Sequence, residues 1–346
     1  LIVEGKRFII PIFIAHLGCP NRCIYCDQDR IIHSASTTVN AGGIAEEIER
    51  YLKLDARKQG DLRTVQVAFY GGSFTGLPIE SQRGFLRSVA PFLEQGKVHS
   101  LRLSTRPDYC SPECLALLKD HRVTTIELGV QSMDDEVLRI SQRGYGSKQI
   151  KVAVRELHWA NFEIGIQLMI GLPGESAQIF ASTVEEVIEL RPHFIRLYPT
   201  LVIQGTQLEG LFRSGRYHPL SLEEAVSLAK GAVRRFRQAR ITVIRVGLQP
   251  TPSLEAPGTI VAGPFHPAFR QLVESSLLYE QAVSLLEGAE REGRGSPTFC
   301  ISPKDISNFY GQRGQNIRRL REAFGLREIQ VKPDPHQGQG TISLCS

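Results

Sequence analysis

Three of the chain's seven cysteines stand together in GCPNRCIYCDQ, as Cys19, Cys23 and Cys26. Thiolates are soft, charged ligands, so a tight group of them points to metal or redox chemistry. Zinc ordinarily takes four ligands in two separated pairs. Here three sit in one loop, with His16 as the nearest further donor. Iron–sulfur clusters also use thiolates, ordinarily four. Three would leave one iron with an open position, where a metal centre takes substrate or cofactor. Chance grouping of core cysteines is the remaining reading, although Pro20, Asn21 and Arg22 suit an exposed turn.

Such a loop needs a scaffold, and the surrounding periodicity supplies one. FIIPIFIA (8–15), TVQVAFYGGSF, VHSLRLSTRPD, VTTIELGVQS, FEIGIQLMIGLPGE and HFIRLYPTLV read as six apolar, β-branched strands. They alternate with segments of helical spacing, such as Ile44, Ile48 and Leu52. SPECLALLKDH opens on Ser111 and Pro112, a helix-start signal. Strands buried on both faces and joined by helices make a parallel sheet or an incomplete barrel. The residues of interest follow the strands, at the edge where parallel α/β folds bind ligands.

After residue 200 the pattern changes to an amphipathic helix, the strand RITVIRVGLQP, a Pro/Gly-rich loop and the helix FRQLVESSLLYEQAVSLL. EGAEREGRGSP, residues 287–297, is charged, glycine-rich and without large apolar residues, which suits a linker. The expected organisation is residues 1–200 as the barrel, 201–288 as an extension over its open edge, and 289–346 as a small tail.

CxxxCxxC with an aromatic before the last cysteine, on the first loop of a βα repeat, resembles the radical S-adenosylmethionine (SAM) superfamily. The resemblance implies an α/β fold, an incomplete (β/α)6 barrel. It implies a 4Fe–4S cluster on Cys19, Cys23 and Cys26, with the open iron chelating the amino and carboxylate groups of SAM. An electron from the cluster then cleaves SAM to methionine and a 5′-deoxyadenosyl radical, which abstracts hydrogen. YGGSF looks like the family's glycine motif, so Gly71, Gly72 and Ser73 are expected at the SAM amino group and Tyr25 near adenine. GVQSMDDEVLRISQRG is similar to a segment of the coproporphyrinogen-dehydrogenase and Elongator branches. By that likeness Gln131 reaches the ribose and Arg143 the SAM carboxylate, a task that suits a bidentate guanidinium. Ser104 and Gln167 fall where relatives carry acids contacting SAM, and are departures from that pattern.

GGSFTGLP, STRPDYC, ELGVQS, VLRISQRGYG, GLPGE and RLYPTLVIQGTQLEGLFRSGRY together resemble the Elongator catalytic-subunit family over about residues 8–250. That family modifies wobble uridine in tRNA with a radical SAM core and an acetyltransferase domain. No acetyl-CoA-binding loop is visible here, so the resemblance implies only the radical half. The tail reads strand, short helix, GQRG, helix, strand, and GTISL as a further strand. This resembles a KH domain, an α+β module whose GxxG loop grips single-stranded nucleic acid. Gly311 and Gly314 would allow close approach, with Gln312, Arg313 and Arg318 facing phosphates, beside Arg319 and Arg321. An ordinary glycine cap with surface arginines is the alternative.

Lesser expectations complete the picture. Tyr198, ending the sixth strand, is a candidate catalytic or radical-relay residue. His266 is a candidate contact from the extension. Cys110 and Cys114 read as a loop and a core cysteine, with a second metal pair as the alternative, Cys300 as a strand residue, and Cys345 as part of a frayed end.

Composition sets the outer limits. Of 346 residues, 42% are hydrophobic and 22% charged, as in globular proteins that bury a core, and the net charge is a mildly basic +5. No run of about 18 uncharged apolar residues suggests a membrane span. The odd, unevenly spaced cysteines argue against a secreted disulfide scaffold and for a reducing cytoplasm. The expected activity is a radical SAM transferase modifying tRNA or ribosomal RNA, fed by a reductant such as flavodoxin or ferredoxin. Radical chemistry on a small molecule or protein, or a redox-sensing RNA-binding protein, are the alternatives.

Overall fold

A computed structural model describes residues 7–14, 16–20, 22–31, 41–55, 64–288 and 296–345. Most of the expected linker, residues 289–295, lies outside the described residues. The barrel half of the chain runs β1 (Arg7–Phe13), α1 (Gln28–Ile31), α2 (Ala41–Asp55), β2 (Thr64–Tyr70), α3 (Ile79–Glu94), β3 (Ser100–Thr105), α4 (Pro112–Asp120), β4 (Val123–Gln131), α5 (Asp135–Ile140), α6 (Ser147–Trp159), β5 (Glu163–Ile170), α7 (Ala177–Glu189) and β6 (Phe194–Pro199). The extension follows with β7 (Val202–Ile203), α8 (Gln207–Arg213), α9 (Leu222–Gln238), β8 (Thr242–Val246), β9 (Ile260–Ala262) and α10 (Phe269–Gly288). The tail holds β10 (Thr298–Ile301), α11 (Ile306–Tyr310), α12 (Gln315–Phe324), β11 (Gln330–Pro333) and β12 (Ile342–Leu344).

All six expected strands form, and β8 joins them beside β6 in a 7-stranded sheet of order β1-β2-β3-β4-β5-β6-β8. Every neighbouring pair is parallel. The Pro/Gly-rich loop is less irregular than its composition suggests, because β9 pairs antiparallel with β7. Helix starts follow local chemistry: Ser111, Asp134, Ser176, Thr206 and Ser221 each accept a backbone N–H of the first turn with their side chains.

The sheet is strongly curled. Strands sit about 4.8 Å apart, so β1 and β5 would be about 19 Å apart in a flat sheet. Yet Arg7 of β1 meets Glu163 of β5 at 2.7 Å, and Arg196 of β6 reaches Tyr70 of β2 at 3.1 Å. Such contacts require the inner faces to turn toward one another, as in a half-barrel. Alternation then sorts the side chains. Val67, Phe69, Leu101, Leu103, Ile126, Leu128, Ile166, Leu168, Ile195 and Leu197 point outward into the core under the helices. Polar residues line the inside: Gln66 donates to Ser100 and Thr125, and Thr125 to Glu163.

The tail has its own core of Phe299, Ile301, Phe309, Leu320 and Ile342. Helix α10 serves both cores. Its Phe269, Val273 and Leu277 belong to the barrel, and its Leu278, Ala282 and Leu286 to the tail.

The end of the chain corrects one expectation. Cys345 is not frayed: its N–H donates to the Thr298 carbonyl, and it forms a disulfide with Cys300. Pairing of β12 against β10 brings these positions together, with their Cα atoms 5.5 Å apart.

Candidate cluster and cofactor site

The cysteine loop leaves the C-terminal end of β1 and is tied down by its own polar residues. Gln28, two positions beyond Cys26, accepts the His16 backbone N–H at 2.5 Å and gives its own N–H to the His16 ring. Its amide also donates to the Gly71 carbonyl. One glutamine thus joins the cysteine loop to the turn after β2. Gly72 completes that joint: a Cβ there would lie 2.1 Å from the Leu17 carbonyl oxygen. The Ser73 N–H donates to the same oxygen at 2.9 Å. Gly71 takes φ 99°, a conformation that favours glycine. The expected SAM-amino turn, Gly71–Ser73, therefore lies directly against the cysteine loop, with the Gly71 carbonyl and the Ser73 N–H bonded to that loop and the Ser73 carbonyl accepting from Gly76.

Cys19, Cys23 and Cys26 are half-buried free thiols. Burial, then the neighbouring Cys23, pushes the Cys19 thiol up, and the same two causes push Cys26 up to about 12. Arg143 lowers both, and Arg106 lowers Cys19. Three thiols within electrostatic reach of one another, beside two guanidiniums, fit a metal cluster. A cluster's positive irons supply what thiolates lack in a partly dry site. Among the described residues no three His, Cys, Asp or Glu side chains already stand as a finished metal cage. The loop supplies three free thiol donors.

Arg143, expected at the SAM carboxylate, is buried beside the cysteines. It donates to the Cys23 sulfur at 2.9 Å, to the Tyr25 hydroxyl at 3.2 Å, and to Tyr145 at 2.8 Å. A further bond goes to the Gly129 carbonyl. Burial works against its charge, but Tyr145, Tyr25 and Cys23 outweigh burial and hold the guanidinium charged. Tyr25 packs with Ile24, Leu172, Val202, Leu208 and Tyr217, its hydroxyl turned to Arg143. Gln131 sits at a register shift of β4 with φ 74°, a left-handed conformation uncommon outside glycine. Its amide nitrogen would lie 3.1 Å from a Cβ on Gly129. The structure thus brings Cys23, Tyr25, Gln131 and Arg143 together.

Two departures from the family pattern meet a common partner. Ser104 is in register with Glu127, and Gln167 donates to Glu127 at 3.3 Å and contacts Ser104 at 3.5 Å. Neither position carries an acid, but the strand between them does. Glu127 is 0% exposed and held by Arg102 at 2.7 Å and Arg196 at 2.6 Å. Tyr198 lines the same interior, half-buried, with its hydroxyl 3.4 Å from Arg196.

The sequence reading missed Gln28, Arg106 and the Glu127 group. Buried Arg106 forms a bidentate pair with Asp108 and donates to the Arg143 carbonyl at 2.5 Å. The available signal was a charge inside an apolar strand, as in SLRLST, TIELGV and FIRLYP, or directly after a motif.

In the tail, Gly311 (φ 71°) and Gly314 (φ 72°) bracket a tight turn between α11 and α12, with Arg313 at φ 51°. Arg313, Arg318, Arg319 and Arg321 are exposed. The Arg318 guanidinium donates to the Arg313 carbonyl at 2.5 Å, and Gln312 meets the His266 ring at 3.4 Å. Cys114 is buried and Cys110 half-buried; burial pushes the two thiols up to about 11 and about 12.

Comparison with known proteins agrees with this geometry. A model of the radical SAM superfamily matches residues 14–187, and one of the radical SAM C-terminal domain matches residues 192–278. The chain is 23% identical over 360 residues to tRNA uridine(34) acetyltransferase of Methanocaldococcus infernus, covering 91% of this chain and 63% of that protein. It is 31% identical over 248 residues to Elongator complex protein 3 of Mus musculus, covering 60% of this chain and 44% of that protein. The chain therefore spans less than two thirds of either relative. The solved structure of the archaeal Methanocaldococcus infernus Elp3 with an N-terminal deletion has the same fold. Its TM-score is 0.61 at 22% identity, over 80% of this chain and 63% of that one. The superfamily match spans half the chain and carries the cysteine loop within it: the chain belongs to the radical SAM superfamily and is an enzyme whose cofactors are a 4Fe–4S cluster and SAM.

Proposed function

We propose that this enzyme modifies RNA, with tRNA as the first candidate, through a 5′-deoxyadenosyl radical that the bound cluster and SAM supply. In this reading Cys19, Cys23 and Cys26 hold the cluster. Gly71, Gly72, Ser73, Tyr25, Ser104, Gln131, Arg143 and Gln167 surround SAM, and Tyr198 faces the reacting carbon. Arg143 brings a buried positive charge to the SAM carboxylate and would exchange its bonds to Cys23 and Tyr25 for that group, while Tyr25 and its apolar neighbours exclude water from one side. Residues 1–200 are the catalytic half-barrel, 201–288 its extension and 289–346 the RNA-gripping tail. A small reducing protein such as flavodoxin or ferredoxin delivers the electron, and the setting is cytoplasmic.

The observation that carries this reading is the docking of the GQRG turn onto the barrel's own extension. Asn316, just after the turn, donates to Ser275 of α10 at 2.9 Å, and Gln312 meets His266. RNA held at Arg313 and Arg318 would thus be attached to the helix that also packs the barrel core. The two relatives named for tRNA chemistry or Elongator support tRNA as the first candidate. Nucleoside mass spectrometry of tRNA and ribosomal RNA, from cells with and without the chain, tests it. The expected result is loss of one modified nucleoside, restored by wild type, not by Cys23→Ala, and only weakly by Arg313→Gln/Arg318→Gln. Unchanged nucleosides in both pools would overturn it.

A further inference from the structure

The seven barrel strands carry six charged residues: Arg7, Arg102, Arg196 and Arg245 against Glu127 and Glu163. Arg7 is paired with Glu163. Glu127 is shared by Arg102 and Arg196, so one carboxylate faces two guanidiniums. Arg245 stands beside Arg196 across a register shift and donates to the exposed Gln249 side chain at 3.1 Å, so it does not enter this balance. An interior partly shut off from water does not leave charge unbalanced without cost.

Glu127 is engaged on both oxygens: it accepts from Arg196 Nη2, the Tyr70 hydroxyl and the Gln167 amide, with the Nε atoms of Arg102 and Arg196 at ion-pair distance. Arg196 is different. Its Nη1 has only the long 3.4 Å contact to Tyr198, and its side chain is 16% exposed. The Tyr198 hydroxyl, accepting from Arg196, keeps its own proton to donate. Ser104, Gln167, Met169, Arg196 and Tyr198 are all half-buried, whereas the outward residues between them are buried. The inner face is therefore reachable toward the end of the strands that bears the cysteine loop.

We propose that this inner face binds an oxyanion, the carboxylate or phosphate of a small second substrate, on Arg196, with Tyr198 donating beside it. Arginine suits the task because its fork meets two oxygens at once. Glu127 is the anchor that aims Arg196, and Arg102 is the cation that keeps Glu127 satisfied. The site goes beyond the RNA reading and does not depend on it, since the anion is bound by the barrel and not by the tail.

The test uses the reconstituted holoenzyme already saturated with SAM. Inorganic phosphate, acetate and succinate are titrated by calorimetry, with chloride holding the ionic strength constant. Saturation by phosphate alone identifies a phosphate-bearing substrate, and saturation by the carboxylates alone a carboxylate; either supports the site. Arg196→Gln should weaken the effective probe about tenfold or more, with iron per chain and SAM binding unchanged. Its melting temperature should fall, because Glu127 loses a buried partner; Tyr198→Phe, which keeps that pair, should weaken the same probe severalfold with no such fall. No saturable probe, undiminished binding in Arg196→Gln, or binding seen only before SAM is added would overturn the proposal. So would undiminished binding in Tyr198→Phe.

Discussion

At the scale of single residues, burial decides which ionisable groups respond to pH. Glu175 lies in the GLPGE loop after β5 and accepts the Gly171 and Leu172 N–H groups with one oxygen. The other oxygen is buried without a partner. Burial raises its carboxyl from 4.5 to about 8 despite the two N–H bonds, with Asp134 adding to the rise. The folded chain then keeps a proton that the unfolded chain loses from about pH 4.5 upward. Native protein binds more protons across that window, so stability falls as pH rises to about 8. The loss is at most about 1.4 kcal/mol per pH unit. Glu175→Gln keeps an acceptor without the charge and should flatten this slope between pH 5.5 and 8. Melting curves across that range check it; an unchanged slope would show that other groups govern it.

At the scale of elements, the cysteine loop and the turn after β2 act as one piece. The Cβ that Gly72→Ala adds would lie 2.1 Å and 2.5 Å from the Leu17 and Ile14 carbonyl oxygens, so the loop must move. Overpacking of this kind costs about 1–3 kcal/mol, and here the displaced backbone carries the cluster ligands. Gly72→Ala should fall well below wild type in iron and sulfide per chain after reconstitution. Gly84→Ala, in α3 with nothing within 4 Å, should load normally and be slightly more stable. Equal loading of the two variants would show that the joint does not position the ligands. The turn's role was legible in the sequence only as a motif. Its mechanical link through Gln28 and Leu17 was not, because those partners meet across strand ends that no local pattern connects.

At the scale of the whole molecule, α10 couples barrel and tail. The buried amide of Asn316 donates to the Ser275 carbonyl and hydroxyl and to the Phe309 carbonyl. Asn316→Ala strands these acceptors, at about 1–3 kcal/mol. Amide exchange should then accelerate in α11, α12 and the GQRG turn, while β3–β6 remain protected. Uniform acceleration would mean that barrel and tail unfold together; no change would mean that the tail holds without this contact.

The sequence by itself determined the strands, the cysteine loop and the βα alternation, because each is local: period, β-branching and ligand spacing lie within a few residues. It also marked a GxxG turn between two helices, since glycine is the residue that takes positive φ easily. Only the tertiary structure decided what the barrel interior contains. Charged residues that look solitary in SLRLST, TIELGV and FIRLYP become one network when the sheet curls. Strands β2, β4 and β6 then bring Tyr70, Glu127 and Arg196 to a common point, with Arg102 beside them. Closure of Cys345 onto Cys300 likewise depended on strand pairing across 45 residues. Contacts of that range are set by sheet curvature and register, which no single stretch of sequence encodes.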